Sequence, residues 1–314
     1  MKHIFVLNPV AGDCSVETQL LPAIKRAVAK RNLDAVIYLT KGKGDAESYA
    51  RMTCERLRKS GYAGEVRFYA GGGDGTLGEV AGGVLGEQNV SVACLPCGTG
   101  NDFARFFGDP ADFLDPDVLI SAETMRIDLL KVNGKVCVNA CNMGFDALVA
   151  HNVTVMKRRL KLKGHAAYYA SVLYCLFKKL GNRFYIAVDG GEEWTGRFLL
   201  AAACNGMCYG GGFKSAPSAR PDDGLIDLCA VRELPRTQIA RLVNLYKAGK
   251  HLEEPSLQDK LIFRRCRRLR VTGNEPFVLA IDGETEYVTS VEIELLPKAL
   301  SFCVPKQGVP RQLL

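Results

Sequence analysis

The sequence predicts an α/β domain built on a parallel sheet, followed by a second domain of mostly antiparallel strands. Three observations predict it. Over roughly the first 110 residues, short β-branched or aromatic runs alternate with helix-period stretches. In the second half, Asn133-Gly134 and Asp189-Gly190 sit between strand-like runs, where hairpins turn. The length of 314 residues exceeds what one typical core organises, which favours two domains.

In the first half, residues 3–7, 36–39, 66–70 and 90–95 read as strands. Between them, Val16, Leu20, Ile24, Ala27 and Val28 share one helix face, and Ala46, Ala50, Thr53 and Leu57 share another. Strands joined through helices cross over right-handedly, which makes the sheet parallel and covers both faces. Such sheets bind ligands in the loops at the C-terminal strand ends. From about residue 125, runs 126–132 and 135–140 flank the first Asx-Gly turn, and 184–188 and 194–203 flank the second. Two helices are expected among these strands: a basic-then-apolar one over about 160–180, and one opening at Pro235 with Ile239, Leu242, Val243 and Tyr246 on a face. A last strand, 299–304, is expected to return to the first domain, giving bounds of 1–124 with 298–314, and 125–297.

Composition narrows the class. With 47% hydrophobic and 24% charged residues the chain is an ordinary globular one, not disordered, collagen-like or coiled-coil. Its longest uninterrupted apolar stretch, residues 198–204, is far below the ~20 residues of a bilayer-spanning helix. The N-terminal apolar run is cut short by Asn8 and Pro9, and Asp13 before Cys14 makes a poor lipoprotein site, so a cytoplasmic location is expected. Twelve cysteines outside any compact secreted framework fit a reducing compartment. The net charge of +7 gathers in two clusters, Lys157, Arg158, Arg159, Lys161, Lys163 and Arg264, Arg265, Arg267, Arg268, Arg270. No nucleic-acid-binding signature accompanies them. Cys94 and Cys97 lack the second pair or spaced histidines of a zinc site and read as core.

The loops carry the chemistry. The third strand ends in Gly71-Gly72-Gly73-Asp74-Gly75-Thr76 and leads into a helix. Consecutive glycines let the backbone approach a ligand, and the helix N-terminus adds partial positive charge, a combination suited to phosphate. A tight turn with Asp74 as helix cap is the competing reading. The fourth strand ends in Leu95-Pro96-Cys97-Gly98-Thr99-Gly100-Asn101-Asp102-Phe103-Ala104-Arg105, a second glycine-rich loop expected to open a second helix. Asn8-Pro9-Val10-Ala11-Gly12 and Thr40 with Gly42 and Gly44 add two more loops at the same sheet edge. Together they point to a nucleotide. Neither the Walker lysine nor the spaced dinucleotide fingerprint is present.

These loops resemble the catalytic domain of the diacylglycerol kinase and lipid kinase family. The resemblance continues through Asn142-Met143-Gly144-Phe145-Asp146-Ala147, Gly210-Gly211-Gly212-Phe213, Asp222-Asp223-Gly224-Leu225-Ile226-Asp227 and Asp282-Gly283-Glu284, covering nearly the whole chain in order. The element Gly98-Thr99-Gly100-Asn101-Asp102-Phe103-Ala104-Arg105 is its most specific part. The resemblance implies an NAD kinase/diacylglycerol kinase-like α/β nucleotide domain joined to a β-sandwich-like domain, with the active site in the cleft between them. It implies ATP and Mg²⁺ as cofactors. By it, Asn8, Gly12 and Thr40 line the nucleotide pocket, and Gly72, Gly73, Asp74, Gly75, Thr76, Thr99 and Asn101 hold the phosphates. Asp74, Asp102 and Asp223 form a water-bridged acidic network around magnesium, and the Asp222-Asp223-Gly224-Leu225 stretch holds a structural magnesium through an aspartate, Asp222 or Asp223, and backbone carbonyls, with Leu225 among the holders. Asp282 is the base that takes the acceptor's proton, with Glu284 as its helper. Read by itself, Asp282-Gly283 is as good a hairpin turn as Asp189-Gly190.

The activity implied is phosphate transfer to a lipid hydroxyl, with diacylglycerol to phosphatidate the leading case. An NAD kinase and a catalytically silent nucleotide-binding regulator stand as alternatives. A lipid substrate implies peripheral work at a membrane surface, where basic clusters meet anionic lipid. The apolar positions Ala166, Tyr169, Leu173, Leu176, Phe177 and Leu180 read as core or as an interfacial face. Oligomeric state has no signature, and a homodimer stays open.

Overall fold

The computed structural model describes residues 1–12, 16–160, 164–177 and 180–305. Two compact units divide the chain: Met1–Leu129 with Leu296–Leu314, and Leu130–Leu295. The breaks lie a few residues from positions 124 and 297, because both fall inside long strands and no linker composition marks them.

The first unit is a parallel sheet. Its strands are β1 (Lys2–Leu7), β2 (Ala35–Leu39), β3 (Val66–Gly72) and β4 (Val90–Pro96), and helices α1 (Leu21–Arg31), α2 (Asp45–Lys59), α3 (Asp74–Gly83) and α4 (Pro116–Ile120) accompany them. β1 lies between β2 and β3, and β3 pairs with β4. Ser301 and Phe302, near the chain end, pair in parallel with Ser91 and Val92. β3 and β4 are buried along their whole length, so apart from Arg67 and Ser91 they read as apolar or small-residue runs rather than alternating ones. The register aligns Leu7 with Leu39 and Gly71, and Gly72 with Pro96, so the loops leave from one edge.

On β3, Arg67 is 5% exposed and donates to the carbonyls of Leu119 (2.8 Å) and Ile120 (3.0 Å), two acceptors at the end of α4. His3 packs nearby with its Nδ1 2.8 Å from the Tyr69 hydroxyl. Burial, and then the Arg67 charge, push the His3 imidazole down to about 4. His3 is therefore neutral in the fold, whereas the unfolded chain takes a proton near 6.5. Its contribution to stability is complete above about pH 6.5 and is lost as pH falls toward 4, amounting to about 2.5 kcal/mol at pH 4.5. His3→Phe should consequently show a smaller fall in unfolding free energy between pH 7 and 4.5 than wild type, measured by urea denaturation. Equal falls would remove His3 from the acid response.

The second unit contains the end of β5 (Glu123–Val132), then β6 (Lys135–Cys137), β7 (Ala140–Gly144), β8 (Asn182–Val188), β9 (Glu193–Cys204), β10 (Ile226–Arg232), β11 (Leu261–Cys266), β12 (Arg268–Ile281) and the first part of β13 (Glu284–Val304). All named pairings inside it are antiparallel, in the order β11, β10, β9, β7, β12, β13, with β8 pairing β12 and β9. Phe184, Phe198, Leu228, Phe277 and Ile281 are among the side chains of its core. Its helices are α5 (Phe145–Leu160), α6 (Gly164–Leu176) and α7 (Arg236–Ala248), the last opening after Pro235 as its sequence signals. α5 is one helix more than the sequence led us to expect. Phe145, Val149 and Val153 recur at helical spacing, but the helix follows β7 directly, with a single glycine, Gly144 at φ +98°, to mark the change.

The arginines of the second basic cluster are mostly paired with acids. Arg264 meets Glu192 at 2.5 Å, Arg268 meets Glu294 at 3.5 Å, and Arg270 meets Glu292. The last two pairs stand directly opposite each other on β12 and β13, where unlike charges attract. Lys161 and Lys163 of the first cluster, with Lys178 and Lys179, lie outside the described residues, as do the side chains of Lys157, Arg158 and Arg159.

Candidate active site

Four loops leave the aligned strand ends of the first unit, and hydrogen bonds tie them together. Asn8 donates its amide to the Gly71 carbonyl (2.8 Å), and Thr40 donates to Leu7 (2.8 Å). The Asn8 side chain donates to the Thr76 hydroxyl at 3.4 Å and accepts from the Val10 amide at 3.2 Å. Two glycines let the loops touch. Gly12 has φ +58°, and a Cβ there would stand 2.0 Å from the Cys97 carbonyl oxygen. A Cβ on Gly98 would stand 2.5 Å from the Cα of Gly73. Bare backbone from the first, third and fourth strand ends thus meets at one place.

The predicted Gly-rich turn is tighter than a loop. β3 runs through Gly72, and α3 begins at Asp74 with only Gly73 between them. Gly73 precedes the first turn of α3 and Gly75 and Thr76 lie within it, and the dipole of a helix N-terminus favours an anion. Asp74 does not cap its own helix. It instead accepts the amides of Asp102 (2.9 Å) and Phe103 (3.2 Å), so a carboxylate on one loop fixes the backbone of the other. Asn101, at φ +52°, donates to the carbonyls of Pro96 and Gly98, both at 2.8 Å. These ties explain a departure from expectation: the segment forms a single 3₁₀ turn, Ala104–Phe106, instead of a second helix. Thr99 sits exposed in this loop, while Asp102 is 4% exposed with Arg105 at 3.4 Å.

Asp74 and Asp102 are therefore neighbouring hard-oxygen groups. Among the described residues, no three His, Cys, Asp or Glu side chains gather into a metal cage. Magnesium in nucleotide sites takes one or two carboxylates, with water and phosphate oxygens completing it, and this pair fits that mode. These two residues would hold it.

In the second unit, Asp282 and Gly283 form the two-residue connection between β12 and β13, with Ile281 paired to Glu284. Their φ values of +46° and +89° are those of the primed turn that Asp-Gly favours. The turn reading is thus correct, and the carboxylate does more. It accepts the amides of Val138 (2.7 Å), Asn139 (3.0 Å) and Ala140 (3.1 Å), and the Cys137 thiol lies 3.3 Å away. Burial raises the Asp282 carboxyl, while the three amides act in the opposite direction. Glu284, the next acid, is exposed.

The acidic loop before β10 is laced with arginine. Asp222 pairs with Arg220 at 3.1 Å, and Asp223 accepts the Leu225 amide at 3.1 Å and pairs with Arg265. Asp227, assigned no role from the sequence, is 1% exposed. Its carboxyl is pushed up to about 6 by burial, against the pull of Arg265. A further buried row also escaped sequence reasoning: Tyr209 donates to Asp146, its hydroxyl is 3.0 Å from that of Tyr246, and burial pushes the Asp146 carboxyl up to about 6. The Gly-Phe-Asp-Ala string marked Asp146 without indicating partners 63 residues away. Cys94, within β4, and Cys97, just after it, are buried and in no disulfide.

Comparison with known proteins shows the family and the fold. The diacylglycerol kinase catalytic domain matches residues 2–132, and the YegS C-terminal NAD kinase beta sandwich-like domain matches 139–304. A Pseudomonas aeruginosa protein named "Probable lipid kinase YegS-like" is 34% identical over 261 residues, covering 82% of this chain and 81% of that protein. A Staphylococcus carnosus diacylglycerol kinase is 28% identical, covering 89% of this chain and 87% of its own. Among solved structures, a diacylglycerol kinase from Bacillus anthracis superposes with a TM-score of 0.68 at 22% identity, over 98% of both chains. An Archaeoglobus fulgidus NAD kinase in complex with ATP reaches 0.50 at 11% identity, over 98% of this chain and 95% of that one. At those identities the structures establish the shared fold.

Proposed function

Because the chain belongs to the diacylglycerol kinase-like lipid kinase family, we propose that it transfers the γ-phosphate of ATP to a lipid hydroxyl, with diacylglycerol as acceptor and phosphatidate as product. The observation that carries this reading is the meeting of Gly12, Gly73 and Gly98 beside the first turn of α3. Backbone without side chains next to a helix N-terminus suits a polyphosphate in a chain that has no Walker lysine. Asn8, Thr40 and Thr76 border the nucleotide, and Asp74 keeps the fourth loop in place by holding two of its amides. Magnesium, bound with ATP, supplies neutralisation of phosphate charge. Phosphoryl transfer is mainly positioning and electrostatics, so loops locked to one another are the main protein contribution.

Proton removal from the acceptor falls to the Asp282-Gly283-Glu284 turn. Three amides already hold Asp282, which suits an anchor that shapes the turn better than a group that takes up protons. We assign the base to exposed Glu284, with Asp282 fixing its place in the chain.

A transfer assay with γ-labelled ATP over diacylglycerol, monoacylglycerol, a sphingoid base and NAD tests the proposal. Label on diacylglycerol is expected. Label on NAD alone would identify an NAD kinase, and ATP binding without label on any acceptor would support a silent regulator.

Access to a lipid acceptor requires contact with its membrane. No helix among the described residues is long and apolar enough to cross one. Leu173, Tyr174 and Phe177, at the end of α6, are 59%, 43% and 79% exposed, and Lys178 and Lys179 follow them in sequence. With the second basic cluster largely paired to acids, this apolar end is the contact we assign. The double variant Leu173→Ser/Phe177→Ser should lose about tenfold or more in co-sedimentation with anionic vesicles. Unchanged sedimentation would place the contact elsewhere.

A further inference from the structure

The family resemblance assigns a structural magnesium to an aspartate and backbone carbonyls of the Asp222–Leu225 loop, but both aspartate side chains of this loop are already engaged within the protein. Asp222 is engaged by Arg220. Asp223 spends one oxygen on the Leu225 amide and the other on Arg265. The strongest demand for positive charge comes from Asp227, four residues after Asp223. It is 1% exposed, and neither of its carboxylate oxygens accepts a hydrogen bond. Its nearest cation is Arg265, whose Nε lies 3.5 Å from Oδ1. Asp227 and Arg265 stand directly opposite each other on β10 and β11, so the strand register itself delivers the guanidinium. A planar, permanently charged group with several donors can serve two carboxylates at once, which an ammonium does less well.

We propose that Arg265 is a built-in cation: it bridges Asp223 and Asp227 and takes the structural place that the resemblance gives to a divalent ion, so the acidic loop of this chain is ordered without metal. The proposal concerns folding of the second unit and does not depend on which acceptor the enzyme phosphorylates.

The experiment measures thermal unfolding without nucleotide, in EDTA and in millimolar MgCl₂, for wild type, Arg265→Met and Arg265→Met/Asp223→Asn. Taking the guanidinium away leaves a buried carboxylate uncompensated and should lower Tm by roughly 6–12 °C in EDTA. Magnesium should restore several degrees to Arg265→Met, more than it gives wild type, and the excess should vanish in Arg265→Met/Asp223→Asn. Where Arg265→Met does not fold, Arg265→Met/Asp227→Asn provides the second readout: it removes charge and demand together and is expected to fold, with a Tm above that of Arg265→Met. A magnesium shift in wild type equal to or larger than that of Arg265→Met, or an Arg265→Met/Asp227→Asn protein no more stable than Arg265→Met, would overturn the proposal.

Discussion

Glu284→Gln should fold with the wild-type melting temperature and lose about 10²–10⁴-fold in kcat, the usual range for removing a general base. Its side chain is exposed at the first position of β13, so the amide is accommodated without repacking. Asp282→Asn should behave differently. Oδ1 accepts two amides and Oδ2 a third, so turning either oxygen into an NH₂ sets donor against donor. That costs about 1–3 kcal/mol for each buried group left unpaired, and transfer falls because the turn carrying Glu284 moves. Together the two variants separate the roles. A Glu284→Gln enzyme with wild-type turnover, beside an Asp282→Asn enzyme of unchanged Tm and no turnover, would return the base to Asp282.

Gly12→Ala is the second large effect. The added carbon faces two independent penalties. At φ +58° an alanine backbone costs about 1–2 kcal/mol. Its Cβ would also stand 2.0 Å from the Cys97 carbonyl, so backbone on one side or the other must shift by roughly 1 Å. A displacement of that size between the loops proposed to hold ATP should lower kcat/KM for ATP by about 10²-fold. Gly86→Ala is the matched control: its φ is +87° and nothing lies within 4 Å of the added carbon, so it shares the backbone strain without moving a loop. If Gly12→Ala keeps wild-type kcat/KM for ATP while Gly86→Ala shows the same loss of stability, the nucleotide does not sit where these loops meet.

Sequence and structure agree most closely where the determining interactions are local. The strands of the first unit were legible because β-branched runs differ in period from the helices between them, and Asn133-Gly134, Asp189-Gly190 and Asp282-Gly283 marked turns through their own backbone preferences. Before α5 only the single Gly144 marks the change from strand to helix, too little to separate them by local pattern. The Asp102 segment was misread as a helix because its opening resembles one, while the groups that restrain it lie elsewhere in the chain.

By itself, the sequence determined the alternation of strands and helices, the turns, and which loops carry glycine and acid, since each of these depends on neighbours a few residues apart. Only the tertiary structure decided what the acids do. Asp74 holds the Asp102 amide 28 residues away, Asp282 holds the Asn139 amide 143 residues away, and Arg265 reaches Asp223 across 42 residues. The amides that receive Asp74 and Asp282 are backbone groups found at nearly every position, so no pattern of side chains announces which of them a distant carboxylate will meet.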